Sequence, residues 1–326
     1  MTIEVLHPGL LTTVQDLGRY GSQRYGVIVG GAMDTYSLRL GNIIVGNAEN
    51  EAALEITLYG TTLHFKTDTQ IAITGGDFSP TLNGVPVPSW SPVVVTKDSV
   101  LKFHSAIKGS RSYVSFAGGL NLAEVMGSKS TYLRANIGGF KGRSLQKGDI
   151  LTFNKAISLD NELNKRNDNA QWSINYNDLI KFGKHQVIRV MQGTEYDRFH
   201  QESQNNLWTK LYTVSVQSDR MGYRLEGPSL SLSENFELLS EGVTFGTIQI
   251  PPNGQPIILM ADRQTTGGYP KIGQVITADL PTLAQLQPTS TIQFKKVTLE
   301  EAENAMMQNE QKINLIKKAI NYKLNQ

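Results

Sequence analysis

Residues 248–262 read IQIPPNGQPIILMAD, and the reading of this stretch decides the architecture. Two apolar runs, each too short for a helix, flank a Pro-Pro-Asn-Gly turn, which predicts a strand, a tight reversal and a second strand. Runs of the same kind recur between Gly, Pro and Asn: TQIAITGG (69–76), PVVVTKDSVLKFHS (92–105), YVSFAGG (113–119), VIRVMQG (187–193) and TIQFKKV (291–297). Many short strands with dense turn signals favour barrels or sandwiches over a helix-alternating parallel sheet. The expected fold is mainly β.

The chain has 326 residues, which suits about two domains at roughly 150 residues each. The segment LDNELNKRNDNAQWSINYND (159–178) is polar and rich in asparagine, and it reads as a linker or a long surface excursion. The expected division is therefore a first domain over 1–157, a linker over 158–179, a second domain over 180–298 and a C-terminal helix over 299–326. That helix carries Glu300, Glu301 and Glu303 early and Lys317, Lys318 and Lys323 late, the order its dipole favours, with Ala302, Met306, Ile313, Ile316 and Ile320 as its packing stripe. A shorter helix is predicted where Met33, Tyr36, Leu40, Ile43 and Ile44 share a face, with Gly46 as its stop. DLGRYGSQRYG (16–26) and DRMGYRLEG (219–227) share an Asp followed by interleaved Arg and Gly, and LQKGDILTF (145–153) resembles LQPTSTIQF (286–294), so the halves read as distant copies.

Composition narrows the chemistry. Lys plus Arg is 31 and Asp plus Glu is 29, a formal charge of +2, so no basic field calls for nucleic acid or an anionic membrane. There is no cysteine, which removes disulfides, thiolate nucleophiles and cysteine metal sites together. The histidines, His7, His64, His104, His185 and His200, lie far apart in the chain, and no metal site is expected from them. MTIEVLHPGLL carries no basic start followed by an apolar run, and no stretch approaches a membrane span, so the expected location is the cytoplasm.

Four segments carry the candidate chemistry. In 16–26, Asp16, Arg19 and Arg24 alternate with Gly18, Gly21 and Gly26, so planar guanidiniums stand where the backbone turns sharply; they suit carboxylate or phosphate, or equally a glycine turn whose arginines pair with nearby acids. Asp219, Arg220, Arg224 and Glu226 repeat the pattern, with an Arg224–Glu226 pair as the alternative. AGGLNLAEVMGSKSTYLRANIGGFKGR (117–143) places glycine N–H groups beside Ser128, Ser130, Thr131 and Arg134, a composition that suits an oxyanion or a set of barrel corners. GSKST lacks the spacing of a phosphate-binding P-loop.

The fourth segment, ADRQTTGGYP (261–270), leaves a buried run for Asp262 as acid or base and Arg263 as anion clamp. Gln264, Thr265 and Thr266 add donors, Gly267 and Gly268 a close backbone, and Tyr269 a ring that can stack. A hydrogen-bonded hairpin loop is the other reading. Glu241, in the preceding SEGVTFG, reads equally as a functional or a solvated acid.

Taken together, TVQDLGRYG (13–21), GAMDTYSLRLGNIIVGN (31–47), GSKSTYLRANIGGFKGRSLQKGD (127–149), SDRMGYRLEG (218–227), EGVTFGTIQIPPNGQPIILMADRQTTGGYP (241–270) and ADLPTLAQLQP (278–288) resemble the allophanate-hydrolase-subunit-2 family, also called biotin-dependent carboxyltransferase-like. The resemblance implies two cyclophilin-like β-barrel domains. Bacterial members include one component of 5-oxoprolinase, which works with a homologous B-type partner (the subunit-1 homologue) and an A-type partner. That assembly opens 5-oxoproline to glutamate with ATP and Mg, so the chain alone is expected to be inactive. The resemblance also implies two alternatives: a carboxyltransferase-type component using carboxybiotin on a small amide, or an antagonist of a sporulation-kinase inhibitor. Departures are Gly193-Thr194, where relatives often have Gly-Pro, and Gly41-Asn42, where they often have Ala-Asn. Asp16, Asp219 and Asp262 are the expected catalytic carboxylates. Arg19, Arg220, Arg224, Arg263, Gln264, Thr265, Thr266, Gly267, Gly268 and Tyr269 are the expected substrate ligands, and the three carboxylates and these ligands apart from Gly267 and Gly268 are expected to line one cleft.

Overall fold

The computed structural model describes residues 2–154, 172–234 and 238–324. The chain divides into two compact units: the first holds residues 1–19, 30–178 and 312–326, the second 20–29 and 179–311.

The opening hairpin is present as read. Thr247–Gln249 and Ile257–Leu259 pair antiparallel with Ile248 opposite Ile258, and the turn closes where the Gly254 N–H donates to the Pro251 carbonyl at 2.9 Å. These two strands belong to a closed barrel in the second unit. Around the ring stand His185–Gln192, Lys271–Val275, Thr247–Gln249, Ile257–Leu259, Gly222–Glu226, Leu211–Val214 and Thr291–Lys296, which pairs back to the first. Closure leaves no unpaired sheet edge, and the inward alternation buries Ile188, Val190, Tyr212, Leu225, Ile248, Ile258 and Ile292.

The first unit is built from two antiparallel sheets. One runs Ile150–Thr152, Thr2–His7, Thr62–Phe65, Val100–Lys102, Thr81–Leu82, Val85–Pro86; the other runs Leu11–Gln15, Ala53–Thr57, Lys108–Phe116, Thr69–Asp77, Pro92–Val95. Ile3, Val5, Leu54, Ile56, Phe65, Ile71, Ile73, Val114 and Phe116 form part of one buried cluster between them. Burying each such side chain contributes about 1.5–3 kcal/mol.

The five-stranded sheet is buried on its second face as well. Tyr113 alternates with Val114 and packs with Ala32, Leu38 and Ala53 beneath the helix Thr35–Ile44. Asp34 caps that helix, its Oδ1 accepting the Ser37 N–H at 2.9 Å, and Met33, Tyr36, Leu40, Ile43 and Ile44 are all buried as the periodicity predicted. The helix lies near the sheet, and a Cβ on Gly41 would stand 2.7 Å from Ser115 Oγ.

The C-terminal helix runs Leu299–Leu324. Ala302, Ala305, Asn309, Ile313 and Ile320 are its buried residues, whereas Met306 stands 39% exposed; the stripe passes through Ala305 and Asn309 at helical spacing and leaves Met306 beside it. Within the second unit Ala302 and Ala305 pack on Ile276, Ala278 and Val297.

The structural division places residues 20–29 with the second unit and splits the C-terminal helix at 311/312. Most of the expected linker lies outside the described residues, but 172–178 belongs to the first unit, where the Tyr176 ring stacks on Trp90 at 4.4 Å between centroids and Ile174 is buried. The two expected copies share the turn at the start of the Asp-Arg-Gly segments. Asp16 Oδ1 accepts the Gly18 N–H and Asp219 Oδ1 the Met221 N–H, both at 2.8 Å, as equivalent Asx turns. The closing strands pair differently: Ile150–Thr152 runs antiparallel to Thr2–His7, while Thr291–Lys296 runs parallel to His185–Gln192. Among the described residues no helix is long and apolar enough to cross a membrane.

Candidate functional site

In the second unit the barrel brings the DRMGYR and ADRQTTGG segments side by side. Met260 N–H donates to the Met221 carbonyl at 2.9 Å and Asp262 N–H to the Arg220 carbonyl at 2.8 Å, extending the pairing of the two strands that precede and follow them. The side chains complete the contact. Arg220 Nε and Nη2 donate to Asp262 Oδ2 and Oδ1, each at 2.9 Å, with side-chain exposures of 6% and 8%. A bidentate pair this buried holds geometry strongly and leaves no net charge.

Asp219 serves the same corner differently. It is exposed, and its Oδ1 accepts the N–H groups of Met221 at 2.8 Å and Gly222 at 3.2 Å, so it shapes the turn that aims Arg220. Arg224 lies on the strand Gly222–Glu226 with Glu226, on the face opposite the buried Tyr223 and Leu225.

Arg263 has a different environment from Arg220. Its donors reach only carbonyls, and at long range: Nε to Val243 at 3.5 Å, Nη1 to Met260 at 3.4 Å and to Ala261 at 3.5 Å. Its guanidinium stands 5.9 Å from the centre of the Phe245 ring. Burial pushes its pKa down, opposed by Tyr20 and Asp262, but a guanidinium stays charged throughout the useful range. Among the described residues it has no carboxylate bridging its fork. A partly buried cation with long, weak hydrogen bonds is a ready partner for a carboxylate or phosphoryl group.

The rest of the loop folds against a short flap. Glu241–Gly242 pairs antiparallel with Thr266–Gly267, and the Val243 N–H donates to the Thr265 carbonyl at 3.1 Å. A Cβ on Gly267 would stand 2.6 Å from Gln249 Nε2 and 3.3 Å from Gln264 Nε2, so two side-chain amides close on the loop here. Gln249 itself is buried and donates to the Tyr269 carbonyl at 3.4 Å. Thr266, Gly268 and Tyr269 are exposed, Tyr269 at 46%.

Lys271 and Glu195 were not singled out from the sequence. Lys271 Nζ donates to Glu241 Oε2 at 2.7 Å and stands 3.4 Å from Glu195 Oε2, while the Lys271 N–H donates to that same Glu195 oxygen at 2.8 Å. Burial pulls the ammonium pKa down, but the two carboxylates outweigh it and hold the value above the ordinary lysine range. The only signal in the sequence was adjacency, since Lys271 follows the ADRQTTGGYP segment directly.

Asp16 and Arg19 lie in the first unit, within a cluster of their own. The Asp16 carboxylate accepts from Gly18 N–H and Ser128 Oγ at 2.8 Å, from Lys129 N–H at 2.6 Å and from Ser130 Oγ. The donors of GSKST thus bind a protein carboxylate, not an external anion as their composition had suggested. Arg19 is fully buried. Its Nε donates to the Val125 carbonyl at 2.7 Å and its Nη2 to the Ser130 carbonyl at 3.0 Å, while Nη1 has no partner among the described residues. Burial pushes its pKa down and Asp16 opposes the shift. Gly138, with φ +68°, leaves room for this guanidinium, because a Cβ there would stand 2.6 Å from Arg19 Nη2. Among the described residues no three His, Asp or Glu side chains are grouped to hold a metal ion.

Comparison with known proteins accords with this geometry. The chain is 41% identical over 321 residues to the 5-oxoprolinase C subunit of Haemophilus influenzae, covering 98% of this chain and 99% of that protein. It is 40% identical over 300 residues to the 5-oxoprolinase C subunit of Escherichia coli, covering 92% and 93%. Among solved structures, the urea amidolyase of Kluyveromyces lactis superposes with a TM-score of 0.87 at 31% identity, over 97% of this chain and 20% of that one. The family described as carboxyltransferase domain, subdomain A and B, matches residues 25–296. With its barrel, its motifs and these matches end to end, the chain belongs to that carboxyltransferase-domain family.

Proposed function

We propose that this chain is the C-type component of an ATP-dependent 5-oxoprolinase, acting with its A-type and B-type partners to convert 5-oxoproline to glutamate, and inactive by itself. The observation that carries the reading is the end-to-end match to proteins of that name, with almost nothing of either chain left over. The site chemistry supports it. 5-Oxoproline is a small lactam with one carboxylate, and its resonance-stabilised amide must be activated at the carbonyl oxygen before the ring opens. Arg263, held only by weak carbonyl contacts, receives the carboxylate or a phosphoryl oxygen, and the Gly267–Gly268 backbone lies where oxyanion charge would develop. The Arg220–Asp262 pair fixes the loop that presents Arg263. ATP with its magnesium supplies the activation, and we assign both to the assembly, since this chain has neither a P-loop nor a cluster of metal ligands among its described residues.

A second reading rests on the family description. Carboxyl transfer from carboxybiotin to a small amide would use the same donors, with Arg263 and the glycine backbone receiving the ureido oxygen. The experiment is glutamate release from 5-oxoproline with ATP and Mg, using this chain with its A-type and B-type partners and omitting each component in turn. Release that requires all three supports the oxoprolinase reading. Bound partners without release, together with carboxyl transfer to an added biotinylated carrier, would replace it with the second.

A further inference from the structure

Lys271, Glu241 and Glu195 form a line of three charged groups that passes from the buried barrel rim to solvent. Glu195 is the inner end, with its side chain 9% exposed; Lys271 is the middle at 11%; Glu241 is the outer end at 56%. The inner carboxylate holds Lys271 twice, by main chain and by ammonium, so the base of the lysine is fixed. The outer carboxylate sits on the flap residue whose backbone pairs with Gly267, so the lysine is joined to the glycine turn of the proposed lactam site through one residue. A structural clamp between strands needs one counter-ion, and its cheapest form is a surface pair. A largely buried lysine between two carboxylates, one fixed and one in water, instead has the layout of a proton donor with its own route of resupply.

We propose that Lys271 is the general acid that protonates the leaving nitrogen when the lactam ring opens, with Glu195 as its positioning residue and Glu241 as the group through which it recovers a proton from solvent. The assignment rests on the lactam reading above and adds a residue and a step to it. From the tetrahedral adduct that water forms at the O-phosphorylated lactam carbon, the new hydroxyl re-forms the carbonyl as its proton passes to water, the C–N bond breaks with its electron pair passing to the ring nitrogen, and the acyl phosphate that remains is hydrolysed to the carboxylate. That nitrogen takes the proton from Lys271 Nζ, leaving a neutral amine product and a neutral lysine. Water returns a proton to Lys271 by way of the Glu241 carboxylate. The two flanking carboxylates keep Lys271 an ammonium at neutral pH, which suits an acid and rules out a resting base.

The test compares Lys271→Met and Lys271→Arg in the full assembly with ATP, on 5-oxoproline and on the corresponding five-membered lactone carboxylate, whose oxygen leaving group needs no such proton. Partner binding and thermal midpoint are measured beside turnover. Expected is a loss of about 10²–10⁴-fold on the lactam for both variants, since arginine keeps the ion pairs but does not release a proton, and a loss below about tenfold on the lactone. In Glu241→Gln, a small buffer acid such as imidazolium is expected to restore much of the lactam rate. Equal losses on lactam and lactone, or full lactam turnover by Lys271→Arg, would overturn the assignment and leave the oxoprolinase reading standing. Absence of glutamate release by the unaltered chain with its partners overturns both.

Discussion

Arg220 and Asp262 face each other as a closed fork, Nε to Oδ2 and Nη2 to Oδ1 at 2.9 Å each, almost wholly out of contact with solvent. Two residues that look in the sequence like an anion clamp and a catalytic acid are thus each other's partner. Their neighbour Arg263, one position along, reaches only carbonyl oxygens, at 3.4–3.5 Å.

Removing one half of the fork strands a buried charge. Asp262→Ala and Arg220→Ala are each expected to cost about 3–5 kcal/mol, while a double replacement by apolar residues of similar volume costs less than the sum. Urea denaturation of the single and double variants checks this. Singles as stable as the parent chain would show the pair to be more hydrated than its geometry indicates.

Arg263→Lys and Arg263→Ala should leave stability near that of the parent chain, because the hydrogen bonds lost are at 3.4–3.5 Å. Binding of a carboxylate substrate should weaken by about 1.5–3 kcal/mol, roughly 10–150-fold, through loss of a charge-assisted contact. KM for 5-oxoproline in the assembled enzyme is the readout, and an unchanged KM would move the carboxylate elsewhere.

Gly138→Ala is expected to destabilise the first unit. The added Cβ would stand 2.0 Å from the Ser130 carbonyl oxygen and 2.6 Å from Arg19 Nη2, at a φ of +68°. Strain of about 1–3 kcal/mol from the backbone alone, plus displacement of Arg19, should lower the thermal midpoint by several degrees, whereas alanine at Gly148, which meets no atom within 4 Å, should cost less.

Two ion pairs set opposite pH dependences. Arg143 holds the Asp149 carboxylate below its usual range despite the opposing effect of burial, with Nη1 and Nη2 each 2.7 Å from a carboxylate oxygen. The folded pKa lies below the unfolded one, so this stabilisation is present above about pH 4 and is lost as pH falls through the folded value. Lys271 has the reverse sign. Its folded pKa lies above the unfolded value, so its contribution is present below about pH 10 and is lost as pH rises through the folded value. Denaturation midpoints should therefore lose their acid-side slope in part in Asp149→Asn, and their alkaline slope in part in Lys271→Met.

What the sequence determined by itself was local. The hairpin at 248–262, the helix stopped by Gly46 and the C-terminal helix are fixed by apolar period and turn residues within a few positions of one another, and each stands where it was read. The family was legible too, because six motifs in fixed order are a long signal. What the tertiary structure decided was which charges meet. Asp16 is filled by donors from Ser128, Lys129 and Ser130, more than a hundred residues away, and Arg220 by Asp262, forty-two away. Lys271 joins Glu195 and Glu241 across the barrel rim, although nothing in their spacing relates them. An ion pair leaves no period in a sequence: its partners are chosen by the sheet register that brings two strands together, and that register exists only once the chain has closed.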